Sequence, residues 1–214
     1  MMPAWHHNHT VISLKDMIEE IEGKLTQVRA SGIADLLAVV TEQFVFHCNT
    51  VNQLYEKYGK IPEDECLVQD NLTAKNQAII SQVFTAMIIE AFYFDYYHGK
   101  KSKPKADVWS KQSPVKQFLS LAQEFWGIKN VEETKLYSQL NDLNRVRKRW
   151  VHNQSTQLGK YAKDLNYLSA DGCIDFLRRF FKFVNEQDTS YKAAKLISDH
   201  LSSLQLQMKG YTGL

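Results

Sequence analysis

Residues 78–97, AIISQVFTAMIIEAFYFDYY, decide how the rest of the chain is read. Apolar side chains recur there at three- and four-residue steps (Ile79, Ile80, Val83, Phe84, Met87, Ile88, Ala91, Phe94), the spacing of a wide stripe along one side of an α-helix. No proline or glycine interrupts the run. Outside it the same scarcity holds: nine glycines and four prolines make about 6% of the chain, roughly half the usual share. The punctuation leaves four long stretches, 33–58, 63–98, 128–158 and 173–209. Strand-rich folds need turn residues about every 8–12 positions, so these stretches predict helices. Leu136, Leu140, Leu143 and Trp150 trace a second stripe, and Ile174, Leu177, Phe181 and Val184 a third.

The expected fold is an all-α, up-and-down helical bundle in one domain over residues 1–214. Helices are expected near residues 11–30 and 33–58, and a helical extension over about 185–209. Asp70, Asn71 or Thr73 is read as the cap that starts the second long helix and Gly99 as its end. The segment 99–114 (GKKSKPKADVWSKQSP) is read as a polar, lysine-rich connection, and residues 1–10 as a loose end.

Composition narrows the function. With 26 Lys and Arg against 24 Asp and Glu, the net charge is +2, so bulk charge alone does not hold the protein to nucleic acid; a local basic patch is the remaining route. The 44% hydrophobic and 23% charged fractions are those of a globular chain. Cys48, Cys66 and Cys173 lie far apart with no C-x-x-C, which suggests reduced thiols rather than a zinc site or disulfides. There is no basic-then-apolar leader and no evident apolar run of bilayer length, so the expected location is cytoplasmic, without membrane contact. No Walker, G-x-G-x-x-G, H-E-x-x-H or G-x-S-x-G motif is present. His6, His7 and His9 are read as incidental, His47 and Cys48 as core, and the aromatic groups around Phe92 and Phe180 as packing.

Two charges break the apolar stripes. Arg147 falls between Leu143 and Trp150, where a leucine is expected. Glu90 falls between Met87 and Phe94 in the same way. Charged side chains are seldom buried unpaired, so the two suggest a cross-helix pair, structural or functional. Around Arg147 the sequence reads Asn144-Arg145-Val146-Arg147-Lys148-Arg149-Trp150-Val151-His152-Asn153, four cations in five residues, then an aromatic and a histidine. On an ideal helix Arg145 and His152 lie about 20° apart and Arg147 and His152 about 140° apart, which does not choose the histidine's partner. Such a cluster offers donors to a phosphate, beside an imidazole that transfers protons near neutral pH.

Arg147 to His152 fits the R-x4-H form, and Arg145 to His152 the R-x6-H form, of the R-x4-6-H motif of HEPN domains. The stretch LYSQLNDLNRVRKRWVHN (136–153) resembles that family's motif helix, and residues 78–97 resemble the helix before it. The resemblance covers about residues 71–184. It implies a bundle that forms a homodimer with two motif helices facing across a cleft, and, in active members, a ribonuclease that needs neither metal nor cofactor. Carried over, His152 acts on the 2′-hydroxyl or the leaving oxygen and Arg147 holds the scissile phosphate. Arg145, Lys148, Arg149, Asn144 and Asn153 contact RNA phosphates, and Glu90 orients Arg147. A non-catalytic RNA- or nucleotide-binding or dimerisation module is the alternative. Lys148 stands where many members have Asn. Gln154 stands where some toxins carry a tyrosine that a partner nucleotidyltransferase antitoxin modifies, which departs from that form of toxin–antitoxin pairing.

Overall fold

The computed structural model describes residues 5–7, 10–12, 17–21, 24–28, 32–61, 66, 75–151 and 168–212. Among them are seven α-helices: α1 (Ile33–Tyr58), α2 (Lys75–Lys100), α3 (Lys103–Trp109), α4 (Pro114–Phe125), α5 (Lys135–Val151), α6 (Ala170–Gln187) and α7 (Lys192–Thr212). The expected helical bundle is present. α2 lies at its centre, against α1, α5 and α6, with α3 and α4 also packing on it.

α1 has the bounds that the sequence predicts. Gly32 before it and Gly59 after it both adopt positive φ, 74° and 67°, and the Gly59 amide donates to the carbonyl of Tyr55. Between these stops Ile33, Leu37, Val40, Phe44, Cys48, Val51 and Leu54 form the buried stripe, so Cys48 is core as read. Thr134 starts α5: its hydroxyl oxygen accepts the Tyr137 amide at 3.2 Å, one of the amides that the helix itself leaves unpaired.

Five expectations are corrected. Residues 5–7, expected in a loose end, form β1 (Trp5–His7), which pairs antiparallel with β2 (Thr10–Ile12). In place of the helix expected over 11–30, β2 is followed by a second antiparallel hairpin, β3 (Met17–Ile21) with β4 (Lys24–Val28). Ile21 pairs with Lys24, so two residues of sequence, Glu22 and Gly23, lie between the strands. The lysine-rich connection contains α3, which begins after Ser102 with Pro104 in its first turn, where a missing amide costs nothing. Gly99 does not end α2, which runs to Lys100. The stretch 173–209 is two helices, not one. It breaks at residues 188–191, where Asp188 accepts hydrogen bonds from the amide and hydroxyl of Ser190 and so favours a turn over helix. The caps expected at Asp70, Asn71 and Thr73 lie outside the described residues.

α2 is also apolar enough to qualify, on length and composition, as a membrane-crossing helix (Asn76–Lys100, mean hydropathy 1.4), where the sequence reading expected none. In the fold one face of it packs against other helices. Phe92, Tyr93 and Tyr96 are fully buried against Phe118 of α4, Phe180 and Phe181 of α6, and Tyr191. Aromatic packing is thus the use these residues have. The stripe that suggests α2 is only in part its buried face: Ile88 is sealed, but Met87 is 39% exposed and Val83 and Phe94 are half-buried, whereas Phe92 and Tyr96, outside the stripe, are sealed.

The far end of α2 is clamped by a polar network. Tyr96 donates from its hydroxyl to Asp188 at 2.7 Å and accepts from the Trp126 indole at 2.9 Å, while Lys100 sits 2.8 Å from the same Asp188 carboxylate. Burial pushes the Asp188 carboxyl up, but the bonds from Lys100, Ser190 and Tyr96 outweigh it and hold the group well below the usual carboxylate range. A carboxyl depressed by folding stabilises the fold above its unfolded pKa near 4 and loses that contribution as pH falls below it. Asp188→Asn is therefore expected to lower the unfolding free energy by about 1.5–3 kcal/mol at pH 7 and by progressively less as the pH falls below about 4, with a clearly smaller effect near pH 2. Urea denaturation at the two pH values measures both; equal losses at both would contradict the assignment.

Candidate nucleic-acid interface

The two stripe-breaking charges meet. Arg147 Nη1 of α5 lies 2.8 Å from Glu90 Oε1 of α2, with 27% and 29% of the respective side chains exposed. The pair edges a small cleft between the two helices and the start of α4. From α2 come Ala86, Ile89, Glu90 and Tyr93, and from α5 Leu140, Leu143, Asn144 and Arg147. Both sets follow helical spacing, which is why two distant segments present matching faces. Pro114 and Val115 close the third side. The cavity is about 10 Å³, room for about one water molecule, so it admits a single oxygen and not a base.

The electrostatics leave this pair adjustable. Burial raises the Glu90 carboxyl above its ordinary value, and the Arg147 charge only partly opposes that. Glu90 in turn helps hold the Tyr93 phenol, already raised by its complete burial, well above its usual range. An ion pair whose desolvation outweighs its attraction contributes little net stability, so Arg147 can exchange a carboxylate for a phosphate at modest cost. The guanidinium has five N–H donors in a planar fork suited to such an anion.

The remaining expected residues divide. Arg145 is exposed and 3.9 Å from Asp142 on its own helix, and Lys148 is exposed, so both are open to solvent, on other sides of α5 from the cleft-lining Arg147. Of the two arginines that fit the motif spacing, Arg147 is the one at the cleft. Asn144 is not on the surface as a phosphate ligand would be: it is 9% exposed, and its Oδ1 is buried without a donor among the described residues. The Arg149 side chain, His152 and Asn153 lie outside the described residues. In the lysine-rich segment, Lys100 pairs with Asp188, Lys101 with Glu124 and Lys103 with Asp107, which leaves it less open than a free basic loop. His47, read as core, faces Asp171 at 3.4 Å with 17% of its side chain exposed.

One residue at this junction escaped the sequence reading. The buried Gln82 of α2 accepts from the Trp150 indole at 2.9 Å and donates to the Leu168 carbonyl at 2.8 Å. Its signal was a polar amide inside the apolar run at 78–97, a pattern shared by its neighbour Ser81 and so not distinctive.

This chain matches no family profile, no curated protein and no solved structure. The case for function therefore rests on the geometry around Arg147 and on the resemblance of residues 136–153.

Proposed function

We propose that the chain is a metal-independent endoribonuclease of the HEPN type, acting as a homodimer, with Arg147 and His152 as its reacting pair. The observation that carries the reading is the Glu90–Arg147 pair: a partly exposed guanidinium at a cleft edge, oriented by a carboxylate, with Arg145 and Lys148 exposed on the same helix. Arg147 binds a non-bridging phosphate oxygen and opposes the charge that builds in the transition state. The 2′-oxygen attacks phosphorus as the P–O5′ bond breaks. His152 removes the 2′ proton while the departing O5′ takes its proton from solvent, or His152 in its protonated form gives a proton to O5′ while solvent takes the 2′ proton. The products are a 2′,3′-cyclic phosphate and a 5′-hydroxyl, and the step calls for no metal or cofactor.

The reading is tested with end-labelled RNA in EDTA. Cleavage is expected to leave cyclic phosphate ends, and a single 2′-deoxy substitution at the scissile position is expected to abolish cutting there, because the nucleophile is gone. Cleavage through that substitution would overturn the mechanism. A second reading, a non-catalytic module that binds RNA through the same cationic helix, is favoured by the size of the cleft, which has no room for a nucleoside. RNA binding without cleavage would select it. A toxin or defence role belongs to the same proposal, and a nucleotidyltransferase encoded beside the gene would support it.

A further inference from the structure

Gln82 joins α2 to α5 and to the residue just before the cap of α6. Its two partners fix how its amide is turned, because an indole N–H only donates and a backbone carbonyl only accepts. Trp150 lies three residues past Arg147, one turn along the same face of α5. Leu168 comes just before Ser169, the residue from which α6 starts. Gln82 also precedes Glu90 by eight residues on α2.

α2 therefore grips the last turns of α5 twice, Glu90 at Arg147 and Gln82 at Trp150. The later residue of α5 meets the earlier residue of α2, so the helices run antiparallel at this contact. The two grips differ in kind. Glu and Arg have long, flexible arms, and a single ion pair tolerates sliding and rolling of α5. A buried amide bonded to a planar indole tolerates less, since the Gln82 amide oxygen, turned from the indole, would stand away from water. The second bond of Gln82, to Leu168, ties the same point to the start of α6.

We infer that Gln82 is a positioning residue: through Trp150 it sets the register of α5 against α2 and thereby where the Arg147 guanidinium stands. The inference rests on the ribonuclease reading above. His152, the other proposed reacting group, follows Trp150 by two residues in sequence, so the same fixed point lies between the two halves of the reacting pair along the chain. Gln82 itself does not contact RNA, so its loss acts on rate rather than on affinity.

The test compares the full chain with Gln82→Met, which removes both bonds, and Trp150→Phe, which removes only one. Each is assayed by single-turnover RNA cleavage at a temperature where circular dichroism shows it fully folded. The rate constant is expected to fall about ten- to hundredfold, as misplacement by about an ångström does, while the RNA dissociation constant stays within about threefold. Trp150→Phe keeps the aromatic packing and carries the test if Gln82→Met does not fold. Folded variants that cleave at the wild-type rate, or that lose rate only in proportion to affinity, would overturn the inference and leave the ribonuclease reading intact. A wild-type chain that binds RNA without cutting it would overturn both.

Discussion

Phe92→Ala is expected to lower the unfolding free energy by about 3–5 kcal/mol, more than the loss of any single hydrogen bond or surface ion pair in this fold. The Phe92 ring is fully buried and lies 5.4–5.9 Å from the rings of Tyr93, Tyr96, Phe180, Phe181 and Tyr191. It joins α2 to α6 and to the junction before α7, so nothing nearby can move in alone to fill the space. The cost has two parts, the lost transfer of an aromatic ring from water and the cavity left among rigid neighbours. Phe92→Leu keeps most of the volume and is expected to cost clearly less. Urea melts of the three proteins measure the difference. A loss below about 1 kcal/mol for the alanine variant would mean that the aromatic cluster is not the centre of the core.

The second large effect concerns activity. Arg147→Ala is expected to lower RNA cleavage about 10²–10³-fold, the usual consequence of removing one donor from a developing anionic transition state. Stability should change far less, by about 1 kcal/mol, because the pair is partly solvated and its attraction only partly offsets desolvation. The pH dependence has a definite sign. Folding raises the Glu90 carboxyl, so the folded state binds that proton more readily than the unfolded chain and gains stability as pH falls through the raised value. Without Arg147 the carboxylate has lost its counter-charge, whereas the protonated acid needs none. The stability loss in Arg147→Ala is therefore expected to be larger near pH 8 than near pH 5. The opposite trend would mean that Glu90 is not the partner whose charge matters.

The sequence read most clearly where chemistry leaves one option. α1 lies between two glycines that both take positive φ, and its bounds are those that the glycines predict. Glu90 and Arg147 stood out because each broke an apolar period, and the two do meet. α2 was harder to read because it is apolar around most of its circumference. A period of 3.6 names a face only when the other face is polar, so the stripe takes in Val83, Met87 and Phe94 beside the buried Ile88 and misses the buried Phe92 and Tyr96. The α6–α7 break depended on Asp188 taking Ser190 into a turn, a local competition that helical periodicity does not register. β3 and β4 pair locally, but their strands lack the strong apolar–polar alternation by which a hairpin announces itself in sequence. Gln82 was invisible for the same kind of reason: an amide in an apolar run has meaning only once its donor and acceptor partners are in place.

The measurement that bears most directly on the claim is a side-by-side cleavage time course in EDTA with wild type, Arg147→Ala and His152→Ala, each verified as folded. Cutting by the wild type, lost in both variants while RNA binding persists, is the predicted result. Equal cleavage by all three proteins would contradict the assignment of Arg147 and His152 as the reacting pair.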